Sequence, residues 1–177
     1  DGAMAALIFE NIESTGYRDI VKNHDADVAN LNSTDQVVIS GAKQSVESAA
    51  DELKSSIDGM QAIFLNVSAP FHSRLMAPIE AEFQSFLESF QIDVSQAGKV
   101  LSNFSGTFHQ PKTLIEYLVK QISGSVRWID NMKELIAKKH QIIEVGPNRP
   151  LGKFFNSLGA QTQSVINLRG MNKAFDS

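Results

Sequence analysis

The chain has 177 residues, 42% hydrophobic and 20% charged, with 16 Lys plus Arg against 20 Asp plus Glu and a formal net charge of −4. That size and mixture fit a globular protein of one domain, with room for two lobes and a substantial core. The acid excess argues against nucleic acid as the main partner. The lack of cysteine excludes disulfides, thiolate metal sites and a cysteine nucleophile and fits a cytosolic setting, and no run of about 18 apolar residues offers a transmembrane helix.

In chain order, residues 3–9 form a short apolar run that predicts a buried strand. The opening lacks a basic region and a cleavage site, unlike a signal peptide. Gly2-Ala3-Met4-Ala5 reads as a tag-removal scar or as a start in mid-domain. Residues 14–24 carry a weak helical pattern with Ser14 or Thr15 as cap. An extended segment follows at 27–31, then the turn formers Asn32-Ser33-Thr34-Asp35. The β-branched run QVVIS, 36–40, predicts a strand ended by Gly41. Val46, Ala49, Ala50, Leu53 and Ile57 fall on one face of a helix closed by Asp58-Gly59. Residues 62–67 read as another strand, which completes β-α-β-β-α-β, the split βαβ or ferredoxin-like pattern.

Beyond Pro70, the spacing of Ile79, Phe83, Phe86, Leu87 and Phe90 predicts a long helix with an apolar face. Residues 100–104 are a strand candidate. Residues 113–122 read as a helix with Thr113 and Glu116 as a capping box. Further helices are predicted around Trp128–Ile136 positions and over 151–158, the latter ended by Gly159, with strands at 141–145 and 164–168. Strands alternating with helices suggest part of a parallel α/β sheet, so the fold class is α/β with an α+β small lobe.

Of the four histidines, His24 lies in a polar stretch, His109 in a polar loop and His140 after two lysines at a helix end, where a cation suits the macrodipole. Only His72, in NVSAPFHSRLM, stands at a strand-to-helix junction between apolar residues. Sites in open α/β sheets gather at such strand ends. The same position also suits a histidine that caps or packs a helix start. A general base needs a nucleophile and a group to orient it. Yet no serine lies in G-x-S-x-G; Ser102, Ser105, Ser123 and Ser125 occupy ordinary loop or strand contexts. No H-x-x-x-H, carboxylate cluster, G-x-G-x-x-G or Walker loop is present, so neither a metal nor a nucleotide cofactor is expected.

Several segments taken together resemble the malonyl-coenzyme A:acyl carrier protein transacylase family, including the acyltransferase domains of polyketide synthases. They are GAMAALI from Gly2, ANLNSTDQVVISG (29–41), NVSAPFHSRLM (66–76), LVKQISGSVRW (118–128) and EVGPNRPLGKF (144–154), in the family's order to about Gly170. The resemblance implies a ferredoxin-like small subdomain over 1–68. It implies that 69–177 is the C-terminal part of an α/β-hydrolase-like acyltransferase subdomain. The family's serine elbow, oxyanion hole and carboxylate-binding arginine lie upstream of the GAMAA strand, so the missing N-terminal half becomes an expected partner and the chain alone is expected to be inactive.

The implied reaction is ping-pong transfer of malonyl from coenzyme A to the phosphopantetheine thiol of an acyl carrier protein through an acyl-serine, with no cofactor beyond the thioester substrate. His72 would be the base, and the backbone carbonyl of Gln121 would hold its other ring nitrogen; Gln121 also reads as a plain helix-end glutamine. Phe71 would narrow the acyl pocket in favour of malonyl, and equally reads as core. Asn32 and Gln36 match signature positions near the cleft, and equally read as turn residues. Gly146, Pro147 and Glu144 read as structural. An acidic carrier protein would need a local basic patch, for which Lys133, Lys138, Lys139, Arg149 and Lys153 are candidates beside the plainer reading of solvated helix faces. Two other readings stand alongside: an acyl hydrolase with the same serine and histidine, and a non-catalytic ferredoxin-like binding module.

Overall fold

The computed structural model describes residues 1–175, which form two compact units, Asp1–Asn131 and the described residues from Met132 onward. The first unit opens with β1 (Gly2–Ile8), α1 (Tyr17–Asn23), β2 (Asp27–Leu31), β3 (Gln36–Ala42), α2 (Lys43–Ser56) and β4 (Gln61–Phe64). All pairings are antiparallel and the strand order is β2-β3-β1-β4. This is the ferredoxin-like β-α-β-β-α-β arrangement expected from the sequence.

The two central strands read as nearly continuous apolar runs because both of their faces are covered. Along β1 and β3, Ala5, Leu7, Val37 and Ile39 point to the helices and meet Tyr17, Val21, Val46, Ala49 and Leu53. The alternate residues Met4, Ala6 and Val38, with Ala29, form a second small cluster on the other side, where Val67 packs. The alanines leave room there for the segment after β4. Its path is set by the Leu65 N–H donating to the Met4 carbonyl at 2.9 Å and by the Pro70 ring resting on Gly2, where a Cβ would come within 2.3 Å. This crossing delivers Phe71 and His72.

Several local expectations give way to tertiary detail. The hydroxyls of Ser14 and Thr15 donate to the carbonyls of Asn11 and Ile12 instead of capping α1, which starts after Gly16 in a left-handed conformation. Gly41 does not end β3 but lies within it, in pairing with Ala3, and β4 stops at Phe64 rather than Val67. The segment 100–104 forms only a single bridge, Leu101 to Phe108, because the turn between takes up the backbone: Ser102 N–H to the Thr107 carbonyl, 2.8 Å, and Gly106 N–H to the Ser102 carbonyl, 2.9 Å.

The predicted long helix becomes a 3₁₀ segment, Arg74–Ile79, followed by α3 (Glu80–Glu88), and none of its side chains is fully buried. Next comes α4 (Leu114–Lys120), where the capping box does not form: Thr113 Oγ1 has no hydrogen-bond partner among the described residues. The loop after α4 docks on the free edge of β2, with Leu31 N–H donating to the Val126 carbonyl and Val126 N–H to the Ala29 carbonyl, both 2.8 Å. Ala29 sits at a register shift of β2, and such bulges re-aim an edge strand.

The remaining elements are α5 (Trp128–Ala137), β5 (Ile143–Val145), α6 (Gly152–Ser157), β6 (Gln163–Val165) and α7 (Leu168–Phe175). In the second unit β5 and β6 pair in parallel across α6, the βαβ connection that a parallel pair requires. Buried Glu144 on β5 accepts the N–H groups of Leu151 and Gly152 at 2.9 and 3.1 Å, which satisfies donors at the start of α6. Gly159, with φ +72, supplies the left-handed residue that closes that helix. The last strand is three residues rather than five, and Leu168 starts α7, a helix that the sequence pattern did not suggest.

Candidate active site

His72 follows Pro70 at the start of the 3₁₀ segment and has a left-handed backbone, φ +58. Two hydrogen bonds to consecutive carbonyls just beyond α4 hold it: Nδ1 to Gln121 O at 2.7 Å, and the backbone N–H to Ile122 O at 3.1 Å. A carbonyl oxygen only accepts, so in the neutral ring Nδ1 carries the proton and Nε2 keeps its lone pair. Nε2 has no hydrogen-bond partner among the described residues. The half-buried ring lines an open cleft of about 430 Å³ with Asp27, Val28, Arg74, Glu80, Lys120, Ser123 and Ser125.

Two ionic clusters frame the cleft. Arg74 ties the His72 segment to the start of β2: its N–H donates to Asp27 Oδ2 at 3.0 Å, and its guanidinium donates to the Asp25 carbonyl at 2.7 Å and to the Asp25 carboxylate. Opposite, Glu80 at the start of α3 accepts Lys120 Nζ at 2.7 Å on one oxygen and the Ser123 hydroxyl on the other. Lys120, and then Ser123, hold the Glu80 carboxyl below its usual range, while Glu80 raises Lys120. The two serines nearest in the cleft are committed elsewhere, Ser123 to Glu80 and Ser125 to the Val28 carbonyl.

Of the residues singled out from sequence, the structure brings together His72 and the Gln121 carbonyl. Phe71 is adjacent and 39% exposed. Asn32 lies in the β2–β3 turn, at the far end of β2 from Asp27, its N–H donating to the Gln36 carbonyl at 3.1 Å. Lys133, Lys138, Lys139, Arg149 and Lys153 are all exposed. His24 meets Glu52 at 2.5 Å. His109, expected in a polar loop, is instead buried at 6% exposure beside Tyr117, with ring centroids 6.2 Å apart, and burial lowers its pKa. Sequence reasoning missed Glu80, Lys120, Arg74, Asp25 and Asp27. Among the described residues no group of three or more His, Asp and Glu side chains could hold a metal, and no helix is long and apolar enough to cross a membrane.

No protein-family model matches the sequence. Its homologues are malonyl CoA-acyl carrier protein transacylases and polyketide biosynthesis transacylases, and the chain is similar to that family in sequence and in fold. Among them are the polyketide biosynthesis malonyl CoA-acyl carrier protein transacylase BaeC of Bacillus velezensis and the malonyl CoA-acyl carrier protein transacylase of Bacillus subtilis. The first is 34% identical over 172 residues, covering 93% of this chain and 57% of that protein. The second is 31% identical over 170 residues, covering 93% and 53%. Among solved structures, a type II PKS acyl-carrier protein in complex with its malonyl-transacylase (PlMCAT:AntF, holo) matches with a TM-score of 0.89 at 27% identity, covering 99% of this chain and 58% of that one. The chain therefore spans just over half the length of the curated relatives it matches.

Proposed function

We propose that this chain is the histidine-bearing part of an acyltransferase that moves malonyl from coenzyme A to the phosphopantetheine thiol of an acyl carrier protein. The observation that carries this reading is the 2.7 Å contact of His72 Nδ1 with the Gln121 carbonyl, which leaves Nε2 free at the cleft to take a proton. A hydroxyl is a weak nucleophile at its own pKa, so its attack on a thioester needs such a base. His72 then returns the proton to the departing thiolate, and the same exchange in reverse loads the carrier's thiol. Ser123 and Ser125 donate to other acceptors, and the resemblance to the family implies that the acyl-bearing serine comes from the part of the relatives that this chain does not span. The remaining half of the fold, malonyl-coenzyme A and the carrier protein are the partners, the thioester is the only coenzyme required, and the setting is cytoplasmic.

Two measurements test this. Incubated alone with malonyl-coenzyme A, the chain takes up no acyl group by intact mass spectrometry; a malonyl adduct on Ser123 or Ser125 would overturn the assignment of an external serine. Combined with a serine-bearing segment, His72→Ala lowers transfer of labelled malonyl to a carrier protein by about 10²–10⁴-fold, the size of a general base. An unchanged rate would retire His72 as the base.

A further inference from the structure

We infer that Glu80 is a positioning residue for His72, gripping the turn beyond α4 whose carbonyls hold the histidine. The inference rests on the reading of His72 as the base. The two carbonyls in question, Gln121 and Ile122, stand at a helix C-terminus, where carbonyls lack intrahelical partners and the last turn frays. With only seven residues, α4 does not hold its end rigid by itself. Glu80 takes hold on both sides of those carbonyls, through Lys120 on one carboxylate oxygen at 2.7 Å and Ser123 on the other.

Glu80 is also eight residues beyond His72 on the same short stretch of 3₁₀ segment and α3. One carboxylate thus links the two segments whose separation sets the Nδ1-to-carbonyl distance. Its side chain is only 14% exposed, whereas that of Lys120 is 48% exposed, so the acceptor at the centre is the shielded member of the group. A merely structural strut between α3 and α4 would affect stability and leave the histidine's proton where it is. A positioning residue moves that proton.

The test reads the tautomer of His72 directly, by long-range ¹H–¹⁵N correlation spectra of the ¹⁵N-labelled chain, in wild type, Glu80→Ala, Glu80→Gln and Lys120→Met. Wild type is expected to hold the Nδ1–H form. In Glu80→Ala the ratio of Nδ1–H to Nε2–H falls by roughly 2–10-fold, the worth of one neutral hydrogen bond. Glu80→Gln, which keeps an oxygen for Ser123, retains part of the preference. Amide dispersion reports folding, and if the alanine variant fails to fold, Glu80→Gln and Lys120→Met carry the comparison. A wild-type ring in the Nε2–H form overturns the base assignment itself. A wild-type Nδ1–H ring with the same ratio in every folded variant overturns the role of Glu80 alone.

Discussion

Gly124 lies in the turn that presents the Gln121 carbonyl, and replacing it with alanine tests how tightly that turn is built. A Cβ there would come within 2.7 Å of two carbons of the Phe104 ring and 2.8 Å of the Lys120 carbonyl oxygen. That oxygen is the one to which the Gly124 N–H itself donates, also at 2.8 Å. The ring has little freedom to retreat, since it packs on Tyr117 with centroids 5.5 Å apart. Overpacking of this kind costs about 1–3 kcal/mol. At roughly 2–4 °C per kcal/mol for a chain of this size, the midpoint of thermal unfolding should fall by about 2–12 °C. Circular dichroism melts of Gly124→Ala, Phe104→Leu and the double variant give the answer. Leucine at 104 relieves the ring contacts but not the carbonyl contact, so the cycle should show a favourable coupling of about 0.5–3 kcal/mol. A single variant that melts with wild type, or a coupling of zero, would show that this crowding around Gly124 is not present in solution.

His109 sets a pH dependence. Its pKa is lowered by burial, so the folded state holds it neutral while the unfolded chain takes up a proton below its ordinary value near 6.5. Stability is thus fully present above about pH 6.5 and declines as pH falls toward the lowered value, with a slope of at most ~1.4 kcal/mol per pH unit. Urea titrations between pH 7.5 and 5 should show that slope in wild type and lose it in His109→Gln; equal slopes would refute the account. If the proposed transacylase assignment and the Phe71 pocket reading hold, Phe71→Ser in the chain combined with a serine-bearing segment should raise loading of methylmalonyl relative to malonyl by about 10–200-fold, the range one methyl group allows, and an unchanged ratio in competition assays would refute the pocket reading.

The small subdomain was legible where local pattern and burial agree. In α2, Val46, Ala49, Ala50 and Leu53 follow the helical period and all four are fully buried. The β-branched run of β3 likewise carries its own evidence. The pattern of α3 misled for a physical reason: periodicity tells which face is apolar, not what covers it, and Phe86 and Phe90 stay 58% and 55% exposed, packed edge to face on each other. His72 stood out by its position in the sequence. The Gln121 carbonyl could come only from family likeness, because any residue type offers one. Glu80 and Lys120 lie 40 positions apart and carry no motif, so their pairing exists only in the folded chain.

The backbone of His72 ties these observations together. A left-handed conformation costs a non-glycine residue of order 1–3 kcal/mol and persists only where the surroundings determine it several times over. Here Pro70 is pinned on Gly2, and Ser73, fully buried, donates its hydroxyl to the Pro70 carbonyl at 2.7 Å. Arg74 binds the start of β2, and the His72 N–H and ring are spent on Ile122 and Gln121. Glycine would meet the backbone requirement at lower cost, and asparagine is better tolerated in that region. Neither offers a second ring nitrogen with a free lone pair once the first is held by a carbonyl. The strain therefore serves the chemistry of the imidazole rather than the turn, and every group named here as fixing the ring lies within residues Asp1–Asn131.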